Sequence, residues 1–444
     1  MSAHPASPRT GASATVVALC FLALVLEGYD LLMYGTVVPA LLAHGPWGLD
    51  APAVGVLGSL AAFGMLVGAL AAAAVGDRWG RRRTILVSVC TFSLAMAGCA
   101  LSPTPEVFGV SRFLIGLGAG ALMPTAVAIL VEFSTPGRRT RTAALGFAGV
   151  GVGGMLAGLL ALWLVPAFGF RGMFAAGAVP LLVVLPLMLR YLPESPAFLL
   201  ASGRREEAAH VAARYGVPLV PPGPDAAGTA AARGGLRALF SDGRAAMTVS
   251  FWVATFFCLL VLFGVASWLP ALMTAAGYGL QSSLSFVLVL NGGTVVGALG
   301  ASALADRWGA KPVTVAAFGA AAVSLALLSL APPTWAVYLL VAVAGFGTTG
   351  TQILLNAFVA VSYPAAVRTT GLGMSLGVGR VGAILGPTYG GLLVAAGLGL
   401  SWQFHAFALP AALGGVAAAL VPARRAAGRV RSTEAAVPAA GAVR

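Results

Sequence analysis

Gly76-Asp77-Arg78-Trp79-Gly80-Arg81-Arg82 returns, altered, as Ala305-Asp306-Arg307-Trp308-Gly309-Ala310-Lys311, 229 residues further on. The same offset carries Gly116 and Gly118 onto Gly345 and Gly347, Arg139 onto Arg368, and Gly35 onto Gly264. Pro39 and Pro270 follow those last two glycines within a few residues. Glycine alone is weak evidence in so glycine-rich a chain. Several residue types matching at one offset point to two halves of one design.

Each copy of the charged turn closes a long apolar run, and the rest of the chain reads the same way. Hydrophobic residues make up 59% of the 444 and charged residues 9%, against about 25% charged in a soluble domain. Disorder needs the opposite composition. Runs long enough for a membrane helix, about 20 residues, fall at 14–41, 53–76, 83–102, 106–133, 142–167 and 171–192. Six more follow at 246–273, 282–305, 312–331, 334–361, 369–396 and 402–421. The expected fold is all-α and polytopic, with twelve transmembrane helices in two six-helix repeats. Parallel repeats of this kind are a transporter design, with cargo held at midplane between the halves. Spans one, four, seven and ten are expected to surround that cavity. The first run is too long for a cleavable signal and carries Glu27 and Asp30 at its centre.

The net charge of +13 would suggest nucleic acid in a soluble protein. Here it reports topology. With a cytoplasmic N-terminus, 23 of the 26 Lys and Arg residues lie in cytoplasmic segments, and only Arg171 lies in an outer loop. That is the positive-inside bias, and it leaves no excess to be explained by nucleic acid. The domains expected are a cytoplasmic tail (1–13), a six-helix bundle (14–192), a cytoplasmic loop (193–245), a second bundle (246–421) and a cytoplasmic tail (422–444). Within the loop, Gly203-Arg204-Arg205-Glu206-Glu207-Ala208-Ala209 suits a short surface helix, and 217–235 reads as a flexible linker. The four cysteines sit in apolar runs with no metal-ligand or disulfide spacing. No nucleotide-binding glycine loop occurs.

Ionisable groups inside the membrane are costly and mark function by default. Glu27 and Asp30, three apart, share one helix face. Two carboxylates in a poorly hydrated site cannot both ionise cheaply, so the pair is either a proton carrier or a structural pair neutralised by Arg112 or by backbone groups. Arg380 lies near the middle of span eleven. Its fork matches a carboxylate, so it is either a substrate anchor or a fixed ion-pair partner. Arg112, in span four, has two readings: a pair with Asp30 or a contact with substrate. Glu132 ends span four and suits a gate ion pair, as do Asp77, Arg78, Arg81, Arg139, Asp306, Arg307 and Arg368 at the same side. Gln352 and Asn356, four apart in span ten, face one way and bond either a substrate hydroxyl or a neighbouring helix. Tyr29, Tyr34, Phe63, Trp268 and Tyr389 are the aromatics available to wall a flat pocket.

These residues resemble the major facilitator superfamily. The carrying motifs are the Gly76–Arg82 turn and Leu192-Pro193-Glu194-Ser195-Pro196 after span six, which resembles the sugar-transporter branch. More specific is Glu27-Gly28-Tyr29-Asp30-Leu31-Leu32-Met33-Tyr34-Gly35-Thr36-Val37-Val38-Pro39. It is similar to the first span of the aromatic acid:proton symporters, and most similar to their benzoate permeases. Tyr363-Pro364, Arg368-Thr369-Thr370-Gly371 and Arg380 fit the same family. The resemblance implies a bacterial inner-membrane transporter, not an enzyme, that imports an aromatic carboxylate with protons and works as a monomer without a cofactor. Glu27 and Asp30 would couple protons. Arg380, Arg112, Tyr34, Gln352, Asn356 and Trp268 would meet the substrate. Rival cargoes on the same fold are a nicotinate-like or aliphatic acid, a sugar or an exported drug. A non-transporting receptor is the other class. Two departures stand out: Glu27 where the family usually has Asp, and Thr125 after Pro124 where Asn is expected.

Overall fold

The computed structural model describes residues 10–134, 139–219, 236–241 and 243–422. The first half holds α1 (Thr10–Leu42), α2 (Ala51–Trp79), α3 (Arg81–Leu101), α4 (Pro105–Glu132), α5 (Arg139–Ala178) and α6 (Val184–Tyr191). Three short helices follow: α7 (Pro196–Ala201), α8 (Arg205–Tyr215) and α9 (Arg237–Phe240). The second half holds α10 (Ala245–Ala275), α11 (Leu280–Trp308), α12 (Ala310–Leu328), α13 (Thr334–Gly345), α14 (Thr351–Ser362), α15 (Ala365–Ala395) and α16 (Leu400–Leu420). We name the two ends of the bundle after the turns they carry, Gly48 and Gly80.

Among the described residues, ten segments are long and apolar enough to cross a membrane. One, Ala148–Tyr191, has 44 residues, about 66 Å if straight against a hydrocarbon core of about 30 Å. It is bent at Gly169, whose φ of 60° and ψ of −154° no helix contains. Phe170 packs on His44 and Trp47 at the Gly48 end, while Leu189 receives a hydrogen bond from Arg82 at the Gly80 end. The segment is therefore two crossings. With α11, each of the twelve expected spans falls on a helix or on one limb of this bent one. Span ten departs from a single helix: α13 and α14 are joined by a π-helical turn, Phe346–Gly350. Exposed tryptophans mark both ends, Trp79 and Trp308 at one and Trp163, Trp335 and Trp402 at the other, as at the two interfaces of a bilayer.

In lipid, helices gain little from burying apolar surface against each other, so close backbone packing has to hold them together. Gly116 of α4 is so near α2 that a Cβ would strike the Ala61 carbonyl. Displaced by 229, Gly345 of α13 stands in the same way against Leu290 of α11. Gly64 against Phe113 repeats as Gly293 against Ala342, and Gly118 against Phe92 repeats as Gly347 against Ala321. The sequence echo is thus a repeat of contacts.

The halves meet between mid-depth and the Gly48 end. Gly35 of α1 packs on Ala266 of α10, and Gly55 and Gly58 of α2 pack on Pro387 of α15. The hydroxyls of Ser59 and Thr388 share a hydrogen bond of 2.8 Å. Asn291 of α11 donates to the Gly154 carbonyl of α5 at 3.4 Å. The interhalf loop is more ordered than the short helix expected. α8 runs to Tyr215 and ends on a left-handed Gly216 (φ 65°). Tyr215 packs edge-on against Phe133 of the first half, with ring centres 5.3 Å apart. Most of the expected linker and tails lies outside the described residues.

The repeated contacts set a test. Gly116→Leu and Gly345→Leu should each lower the melting temperature of the purified protein, because the side chain meets a backbone carbonyl that cannot step aside; overpacking costs about 1–3 kcal/mol or more. Gly319→Ala, where nothing lies within 4 Å of the new Cβ, should hold or raise it. Equal melting temperatures for all three would contradict the packing described.

Candidate functional site

α1 carries both central acids, each 2% exposed. Asp30 accepts a hydrogen bond from Arg112 Nη1 of α4 at 2.8 Å, and both side chains are 3% exposed. The Arg112 guanidinium lies over the Tyr34 ring, 4.5 Å from its centre. Tyr34 is held in turn by its O–H donating to the Val54 carbonyl of α2 at 2.5 Å. Of the two roles open to Arg112, the structure shows the pair with Asp30. Its Nε has no hydrogen-bond partner, so the pair is a single bond and not a fork. Removing either member would strand the other charge, which costs about 3–5 kcal/mol in a buried site.

Glu27 is different. Its Oε2 is buried without a hydrogen-bond partner. The cation whose charge acts on it is Arg380 of α15, in the other half. The two do not close to contact. Among the described residues the ion pairs within 4.0 Å are Arg112–Asp30, Arg81–Glu132 and Arg204–Glu207. A carboxylate and a guanidinium from opposite halves thus face each other with neither fully satisfied.

Beside the Asp30–Arg112 pair is a crevice of about 20 Å³ lined by Asp30, Tyr34, Gly58, Arg112, Phe263 and Pro387, room for about one water. Its walls come from α1, α2, α4, α10 and α15. Spans one, four and seven thus line this crevice, and span eleven adds Pro387, which packs on Gly58.

At the Gly80 end, Arg81 and Glu132 form an ion pair. Ser195 donates to Glu132 Oε2 at 2.5 Å. Glu194 Oε1 accepts from the backbone N–H groups of Arg82 and Ser195 at 3.0 and 2.9 Å. Gly80 (φ 87°) is left-handed, and the Glu194 carboxylate fills the place of a Cβ there. The Glu194-Ser195 segment therefore locks the turn, a role that sequence reasoning did not assign. The available signal was Ser195 before Pro196, a helix cap whose hydroxyl accepts from Phe198 N–H. Arg78 is exposed, and the side chains of Asp77 and Arg139 lie outside the described residues.

The second half does not repeat this lock. Asp306, Arg307 and Arg368 are exposed and form no ion pair among the described residues. Lys311 donates instead to the Val421 carbonyl at 2.6 Å. The position answering Glu132 is Val361, so the acid the pair needs is missing. Of the expected gate residues, Arg81 and Glu132 are the two that pair among the described residues.

Of the aromatics available to wall a flat pocket, most are engaged in packing. Trp268 is 1% exposed and donates its Nε1–H to the Pro387 carbonyl at 2.7 Å, which makes it a tie between α10 and α15. Tyr29 and Tyr389 give their O–H groups to the Met173 and Ala406 carbonyls, each at 2.7 Å. Phe63 stacks near Phe113 and is 45% exposed. Only Tyr34 lines the crevice. Gln352 donates to Asn356 at 2.9 Å, and its Oε1 is buried without a partner. Thr125 gives its hydroxyl to the Ala121 carbonyl of its own helix. The Ser59–Thr388 link was not anticipated, since isolated hydroxyls in apolar spans carry no pattern.

The family model described as Major Facilitator Superfamily matches residues 20–302 and 286–443. The benzoate transport protein of Acinetobacter baylyi is 36% identical over 421 residues, 92% of this chain and 90% of that protein. The gentisate transporter of Corynebacterium glutamicum is 37% identical over 396 residues, 88% and 84% of the two chains. Among solved structures, that of a D-xylose-proton symporter has a TM-score of 0.72 at 18% identity, covering 92% of this chain and 97% of its own; it speaks for the fold alone. The chain belongs to the major facilitator superfamily, in the family of aromatic-acid carriers that it matches along nearly its whole length.

Proposed function

We propose that this chain is a secondary transporter of the bacterial inner membrane that imports an aromatic carboxylate together with protons, as a monomer and by alternating access. The observation that carries the reading is the incomplete pair between Arg380 and Glu27. A guanidinium at mid-depth needs an anion, and insertion scales put its cost near the bilayer centre at about 3 kcal/mol. Glu27 stands off from it, so a substrate carboxylate can complete the fork while Glu27 holds a proton. Asp30, tied to Arg112, is the second member of the coupling site. The names of the relatives, a benzoate carrier and a gentisate carrier, support an aromatic acid as cargo.

The distribution of basic residues supports cytoplasmic termini. The Gly48 end, where α2 and α15 of the two halves are in contact, then faces outward. The Arg81–Glu132–Ser195 lock lies on the cytoplasmic side. With Asp77, Arg78, Arg139, Asp306, Arg307 and Arg368 it supplies the charges that a change of state makes or breaks.

Cells expressing the protein should accumulate labelled benzoate or hydroxybenzoate, and a protonophore should collapse the gradient; accumulation indifferent to protonophore would refute symport. Arg380→Ala should weaken binding of the acid by roughly one to two decades, the worth of a charged hydrogen bond. Arg380→Lys should recover only part, since a point charge lacks the fork. Unaltered affinity in both would make Arg380 a structural cation. Finally, Arg112→Gln should reduce folded protein sharply, and adding Asp30→Asn should restore folding but not proton-driven uptake. A double variant that still accumulates substrate would remove Asp30 from the coupling site.

A further inference from the structure

Arg380 sits at one end of an open strip. α15 runs back from it to the Tyr363-Pro364 turn, which joins α15 to α14. Towards the Gly48 end, Thr388 and Gly391 bring α15 against Ser59 and Ala51 of α2, so that face looks at the other half. Gly377 lies three turns from Thr388, and Arg380 and Gly373 lie three and five turns from Gly391, all on the same face. Here α2 no longer covers it. Gly373 and Gly377 are exposed, and nothing lies within 4 Å of where their Cβ atoms would stand.

Depth along the strip follows from helix rise. Counting from the shared turn, Arg380 lies about 22 Å up α15, Gly377 about 18 Å and Gly373 about 12 Å. On the antiparallel α14, Gln352 lies about 15 Å up from the same turn, level with the two glycines. The separation in depth between Arg380 and Gln352 is about 7 Å, the length of a hydroxybenzoate from its carboxylate to a far ring hydroxyl.

Gln352 also has an unmet hydrogen-bond acceptor. Its amide nitrogen is committed to Asn356 Oδ1, and its Oε1 is buried without a donor. The π-helical turn Phe346–Gly350 ends two residues before it, and such turns re-aim the residues that follow. At the other end of the strip, Glu27 Oε2 is likewise buried and unpartnered, with Arg380 as the cation acting on it. The two ends therefore ask for different things: an anion at Arg380 and a hydrogen-bond donor at Gln352.

We propose that Gln352, held by Asn356, is the specificity-determining residue for a ring hydroxyl, so that the preferred cargo is a meta- or para-hydroxylated benzoate. This rests on the aromatic-acid reading above. The carboxylate takes Arg380, the ring lies flat on the Gly377–Gly373 strip, and the phenol O–H donates to Gln352 Oε1. A site that leaves a buried acceptor empty with the unsubstituted acid discriminates against it. An ortho hydroxyl stays at the depth of Arg380 and gains nothing.

The test is calorimetric binding of benzoate, 2-hydroxybenzoate and 4-hydroxybenzoate to the purified full chain. The expected order is 4-hydroxybenzoate tighter than the other two by roughly tenfold or more. Gln352→Met keeps the length and removes the amide, and should bring the ratio of 4-hydroxybenzoate to benzoate affinity close to one. Asn356→Leu should narrow the ratio in the same direction. Equal binding of all three acids by the unaltered protein overturns the proposal, and so does an unchanged preference in Gln352→Met. If the folded protein binds none of the acids, the aromatic-acid reading itself fails and the subsite falls with it.

Discussion

A guanidinium inside a hydrocarbon slab must have an anion beside it, and this protein answers that demand in two ways. Arg112 has Asp30 at 2.8 Å, under the Tyr34 ring and away from solvent. That pair ties α1 to α4 and makes the centre of the first half a fixed body. Among the described residues, the acid that acts on Arg380 is Glu27, from the other half and out of contact. One pair is closed within a half and one is left open between the halves. Binding and movement can both act on the open one, because its closure depends on what enters the gap and on how the halves sit.

The scaffold around these charges is nearly symmetric, while the chemistry is not. Glycine contacts repeat between α2–α4 and α11–α13 at a constant offset, which gives two bodies of equal build able to rock on each other. The residues answering Asp30 and Arg112 in the second half are Leu259 and Val341, and the one answering Arg380 in the first half is Gly151. Duplication supplied the bodies, and divergence put the acids in one and the lone cation in the other. The lock at Gly80 shows the same split. Arg81, Glu132, Glu194 and Ser195 interlock in the first half, whereas Gly309 is followed by Ala310 and has no acid to meet.

The seal at the Gly48 end is made of small residues and two hydroxyls. Gly35, Gly55, Gly58 and Gly391 allow backbone contact between halves, and Ser59 with Thr388 adds a single neutral hydrogen bond. A neutral hydrogen bond is worth about 1 kcal/mol net, so such a seal holds without an ion pair that would have to be broken to open it. The ionic lock is at the opposite end and lies within one half. Closure between halves here rests on fit, and charge is reserved for the centre and for the turn at the Gly80 end.

The sequence by itself determined the membrane class, the all-α polytopic fold, the duplication and where the membrane charges fall, because each rests on composition or on spacing along the chain. Apolar length, a constant offset and a lone charge in an apolar run are properties of the chain that folding does not alter. Glu27, Asp30, Arg112, Glu132 and Arg380 were all visible in this way. Only the tertiary structure decided which charge pairs with which, since Arg112 and Asp30 are 82 positions apart and nothing in their spacing tells pair from substrate contact. It also demoted Trp268, Tyr29 and Tyr389 to ties between helices. An aromatic side chain reads the same in sequence whether its polar edge meets a carbonyl or a ligand, and the difference lies in which backbone group a neighbouring helix brings within 3 Å.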